Sequence, residues 1–157
     1  MRLSSDDGLG RLELDVFDLE LESKPPRIAV WTRVKMQGYA GERKAWIEIA
    51  AIRRFAMELE ALRETPNGAA VLDASEPDAM QLTVLPMEDG LESTVHLSLQ
   101  AAHKVGTRSY TTSLNGAFSL PSSEIRRFAA TMRRWTDEKF LSELEAWGFD
   151  EKALLDE

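Results

Sequence analysis

The sequence predicts a single α+β domain over residues 1–157, in which an antiparallel sheet of about six to eight strands packs against two main helices and a short acidic helix follows. Three observations carry that expectation. Apolar and polar residues alternate along several stretches, two segments instead show helical spacing, and both of those segments hold the same pentapeptide.

Arg11 to Glu22 alternates strictly, but Leu12, Leu14 and Val16 share one parity while Phe17, Leu19 and Leu21 share the other. A one-residue phase change would turn the apolar set to water, so a β-bulge near Val16-Phe17 is expected. Lys24-Pro25-Pro26 cannot continue a ladder, and Arg27 to Met36 then alternates again as the antiparallel partner. Gly38 to Lys44 breaks the pattern, and Ala45 to Ile49 resumes it briefly. The close glycines Gly8 and Gly10, and Gly38 and Gly41, complete no phosphate-binding fingerprint and are read as turns.

Ile52, Phe55, Ala56, Leu59 and Leu62 form the apolar stripe of a helix over 50–64, with Arg54 and Glu58 on its wet side and Thr65 to Gly68 ending it. Strands are expected over 69–74, 79–85 and 91–101, the last two joined by a hairpin at Asp89-Gly90. Residues 107–120 read either as a hairpin at Asn115-Gly116 or as one unbroken strand. Pro121-Ser122-Ser123-Glu124 has helix-start chemistry, and Ile125, Phe128, Ala129, Met132 and Trp135 make the stripe of a second helix. A third, over 137–147, ends at Gly148 and precedes a tail in which Leu154 and Leu155 can dock. The pentapeptide Ile52-Arg53-Arg54-Phe55-Ala56 recurs at 125–129, which is either coincidence or the trace of pseudo-repeats over 11–64 and 79–135.

Hydrophobic residues make up 43% and charged residues 29%, an ordinary globular balance. The 19 Lys and Arg against 27 Asp and Glu leave a net charge of −8, which disfavours nucleic acid and anionic lipid as partners. The acids crowd the ends, with seven in residues 1–24 and eight in 137–157. The absence of Cys excludes disulfides, thiolate nucleophiles and thiolate-bound metal, and no stretch resembles a signal peptide or membrane span, so a cytoplasmic protein is expected.

No pattern of reactive residues stands out. His96 and His103 fall on opposite faces of an extended strand, without a second imidazole at ligand spacing. The acids of residues 13–22 match no calcium loop and read as solvent-face charge on an outer strand. Arg126, Arg127, Arg133 and Arg134 make a basic helix face expected to pair within the chain. Trp31 and Trp46 occupy nominally exposed strand positions, which calls for coverage by a helix or by a partner.

The segment Gly38-Tyr39-Ala40-Gly41-Glu42, with Ala45-Trp46-Ile47-Glu48 and then Ile52, Phe55 and Leu59, resembles small bacterial immunity proteins of contact-dependent and polymorphic toxin systems, including the WapI-type group. Glu76-Pro77-Asp78, Phe118 and the helix 125–135 fit the same layout. The resemblance implies a binding module, without cofactor or catalytic residue, that occupies another protein such as a basic toxin. The acidic charge adds electrostatic steering toward such a partner, with Asp15, Asp18, Glu20 and Glu42 as the charged contacts and Tyr39 and Trp46 as aromatic anchors. The alternative is a ligand-binding domain or small enzyme with a pocket between sheet and helices. Oligomeric state is not legible from these features.

Overall fold

The computed structural model describes residues 1–62, 64–65, 67–77, 79–87 and 91–147. It has the expected α+β architecture, but its eight strands divide between two antiparallel sheets of four. The first holds β1 (Arg2–Ser4), β2 (Gly10–Glu20), β3 (Arg27–Met36) and β4 (Tyr39–Glu48), in chain order, and leads directly into α1 (Ile49–Ala61). The second repeats that plan with β5 (Ala70–Asp73), β6 (Met80–Pro86), β7 (Glu92–Val105), β8 (Arg108–Pro121) and α2 (Ser122–Trp135). A third helix, α3 (Glu138–Trp147), is capped by Asp137, whose carboxylate accepts from the N–H groups of Lys139 and Phe140 at 3.0 and 3.2 Å.

The halves correspond in detail. Arg27 opposes Glu48 where α1 begins, and Glu92 opposes Pro121 where α2 begins. The first N–H of each helix bonds back to the residue before the penultimate strand of its half, Ile49 to Pro26 O ahead of β3 at 3.0 Å and Ser122 to Leu91 O ahead of β7 at 2.9 Å. The two copies of the pentapeptide fall at the same helical positions, and their phenylalanines meet edge to face with ring centroids 5.3 Å apart. A residue touching its own counterpart lies on a pseudo-twofold axis, and Arg133 with Glu60, 73 residues apart like the two Phe rings, forms a second such contact as an ion pair.

Each helix also reaches the first strand of the other half. α1 runs against β5, where Glu58 accepts the Val71 N–H at 2.9 Å, and Arg127 of α2 donates to the Arg2 carbonyl of β1. Thus α1 packs on α2 and on β5 of the other half, α2 packs on α1 and touches β1 as well as β7 and β8, and both sheets share one core.

Glycines let the inner faces of the sheets approach. A Cβ on Gly10 would stand 2.5 Å from the Phe118 side chain, one on Gly41 2.7 Å from Leu114 Cδ2, and one on Gly116 2.7 Å from Met36 Sδ. Gly10 and Gly41 are therefore strand residues under the opposing sheet rather than turn residues; of these four glycines, Gly8 and Gly38, at φ of +70° and +87°, are the turns. The pattern break at 38–44 has the same cause, because β4 begins at Tyr39 directly after the Gln37-Gly38 turn and leaves Gly41 small where Leu114 enters. Residues 108–121 form one strand, so Asn115-Gly116 is not a hairpin. β2 has the expected irregularity between Val16 and Asp18, which keeps Leu12 and Leu14 before it and Leu19 after it on the core side. α1 ends at Ala61, short of residue 64. Asp78, the Asp89-Gly90 turn and the tail from Gly148 with Leu154 and Leu155 lie outside the described residues.

Candidate functional site

The outer face of the first sheet gathers five of the six residues singled out from sequence. Strand register sets Glu20, Arg27 and Glu48 in one row, Asp18, Ala29 and Trp46 in the next, then Asp15, Trp31 and Lys44, then Glu13, Arg33 and Glu42. Tyr39 is the exception. It stands on the opposite parity of β4, 70% exposed, at the mouth of a cleft of about 500 Å³ where that strand meets β8.

Cations stand beside three of the four acids of β2, namely Glu13, Asp15 and Glu20. Arg33 of β3 pairs with Asp15 and lies 3.4 Å from Glu13, Arg27 holds Glu20 at 2.7 Å, and Arg2 and Arg11 both reach Glu13. The bond from Arg11 is the main reason the Glu13 carboxyl is held below the usual glutamate range, with Arg2 adding to it and partial burial opposing. Asp18 takes the Leu19 N–H at 2.8 Å, beside the bulge. The acids of β2 thus sit in a mosaic of both signs, because β3 sets arginines opposite Glu13 and Glu20, the first and last of them. Among the described residues no group of three or more His, Asp or Glu could hold a metal ion.

The tryptophans of this face are covered by cations rather than by a helix. The Arg33 guanidinium lies 4.7 Å from the Trp31 ring centre and the Lys44 ammonium 5.0 Å from it, and the same ammonium is 5.1 Å from the Phe17 ring. Arg27 stands over Trp46 at 4.7 Å. Phe17, the extra residue of the bulge, was not singled out from sequence; its phase change was the available signal.

The cleft beside Tyr39 is lined by Leu9, Met36, Leu114 and Phe118 and lies between the two sheets, not between sheet and helices. Its carboxylate, Asp7, is turned to its own loop, where it takes the Ser5 hydroxyl and the Leu9 N–H; the Ser5 bond chiefly lowers its pKa. His96 is exposed on the outer face of the second sheet, and His103, near the end of β7, stacks on Tyr110 at 5.8 Å. The basic face of α2 pairs within the chain in part: Arg127 with Glu124 at 2.6 Å, Arg133 with Glu60, and Arg134 over the Phe140 ring, while Arg126 is exposed and pairs with none of the described residues. No protein-family model matches this chain, and no curated protein matches it.

Proposed function

We propose that this chain is a protein-binding module that receives its partner on the outer face of the first sheet. The observation that carries the reading is Trp31, flanked by Arg33 and Lys44 on a face that no helix of the described residues covers. Trp and Arg at the centre of a patch are the side chains that dominate protein interfaces, and their rings and guanidinium planes are already ordered before any partner arrives. Rows of alternating charge give such a face register rather than bulk attraction.

The immunity-type resemblance is one instance of this class, in which the net charge of −8 speeds encounter with a basic toxin. Local recognition then rests on Trp31, Trp46 and Glu42, since Asp15 and Glu20 are engaged with Arg33 and Arg27. Affinity capture with the intact chain and with Trp31→Ala and Trp46→Ala tests the reading. A protein retained by the intact chain and released by both substitutions, with the fold unchanged by circular dichroism, supports it; retention by both variants contradicts it.

The three rings under cations, Phe17, Trp31 and Trp46, favour a second reading as a single-stranded nucleic-acid platform. The balanced acids of the same rows weigh against it. Titration with an oligonucleotide at rising salt separates the two, because phosphate contacts produce a steep loss of affinity with salt.

A further inference from the structure

Each sheet has two edges, and three of the four are blunted. β1 and β5 are short, of 3 and 4 residues. On β4 the ladder phase set by Ile49 and Pro26 directs the peptide groups of Glu42, Lys44, Trp46 and Glu48 outward, and the Trp46 carbonyl is taken by Ser75 N–H at 2.7 Å. Charged side chains and the 73–75 segment protect that edge.

β8 is different. The bond from Ser122 to Leu91 sets its phase, so the peptide groups of Ser109, Thr111, Ser113, Asn115, Ala117 and Ser119 point away from β7. Among the described residues none of these groups has a backbone partner, and none of the six side chains carries charge. β8 runs for 14 residues, and its outer half, with β7, projects as a ribbon from Ala102 to Thr111 that is exposed on both faces. Val105 and Tyr110 on this ribbon are 63% and 44% exposed. A two-stranded ribbon without a core is marginal in water, and apolar side chains on it remain without burial.

We propose that β8 pairs antiparallel with β8 of a second copy of this chain, joining two second sheets into one continuous sheet. The edge suits its own copy: the one charge of β8, Arg108, falls opposite the partner's Gly116 when Thr112 lies on a twofold axis, so no like charges oppose, and two ribbons laid together make four strands. The register with Thr112 on the axis sets Thr111 opposite the partner's Ser113 and Tyr110 opposite the partner's Leu114, giving the ribbon's ring an apolar neighbour. This surface is separate from the outer face of the first sheet, so the inference stands independently of the proposed function.

Light scattering and sedimentation equilibrium on the full chain are expected to give about twice 17.6 kDa. The double variants T111K/S113K and T111E/S113E each halve that mass with circular dichroism unchanged, since both positions are exposed, and mixing the two restores it. The chain has no cysteine, so T112C reports the register alone: a non-hydrogen-bonded antiparallel pair brings Cα atoms to about 4.5 Å, within disulfide range. Oxidised T112C is expected to run as a covalent dimer. A monomeric native chain at all concentrations overturns the proposal, as does a dimer that survives both double variants or fails to cross-link through T112C.

Discussion

The two halves share strand order, ladder register at the helix junction and the axial Phe55–Phe128 contact, yet their outer surfaces are opposites. Trp31 and His96 occupy corresponding positions, opposite Lys44 and Ala117. The first hairpin closes at Met36 and Tyr39 around Gln37-Gly38; the second passes the corresponding Ala101 and Thr112 and continues to Val105 and Arg108. No acid occurs from Ser93 to Ser123, whereas the first sheet alternates acids and bases. What the halves hold in common is therefore what the paired helices and shared core require, and what differs is free to serve binding: an aromatic and charged face on one, a bare edge on the other.

That division can be broken at its centre. Phe128→Ala empties volume at the axis and is expected to cost about 3–5 kcal/mol in denaturant unfolding, with Phe55→Ala close to it. Because the rings touch, the double variant should cost less than the sum of the two; strict additivity would mean that the axis contact does not couple the halves.

Next come the glycines at the crossing of the sheets. Gly10→Ala drives a methyl into the Cβ and ring of Phe118 and is expected to cost about 1–3 kcal/mol. Gly116→Ala meets only the end of the Met36 chain, which can swing aside, so its cost should be smaller. Equal thermal shifts for the two would show that the sheets adjust as rigid bodies instead.

The charge contrast is sharpened by acid. Glu13 is 13% exposed and its folded-state pKa is depressed by Arg11 and Arg2, so its contribution is present above the unfolded value and lost as pH falls through the folded one. The loss is expected below about pH 4.3, the ordinary glutamate value. Glu13→Gln should lower stability at neutral pH and flatten that part of the acid limb, as read by urea midpoints from pH 7 to 3; an unchanged acid limb would remove Glu13 from the network.

The smallest effect belongs to the axial ion pair. Arg133 and Glu60 are both solvent-accessible, and a double-mutant cycle is expected to return about 0.2–1 kcal/mol, falling with salt. A larger coupling would mean that the pair, and not only the Phe contact, holds α1 to α2.

The sequence by itself determined much of the secondary structure. Period two marks β2, β3, β6 and β7, period near 3.6 marks α1 and α2, and the bulge in β2 follows from the phase of Leu14 and Leu19, because side-chain direction in a strand or helix is a local property. The repeated pentapeptide also foretold two helices of one kind. Long-range proximity decided the rest. Gly10, Gly41 and Gly116 look like turn residues until the opposing sheet is in place, and β4 loses its alternation where that sheet presses on it. The acids of β2 read as a stripe because their partners, Arg33 and Arg27, are remote in sequence and meet them only through antiparallel register. Division into two sheets, the pairing of the helices and the bare edge of β8 are likewise tertiary facts: a strand's pattern records which face is buried, but not which neighbour pairs with it or where the sheet stops.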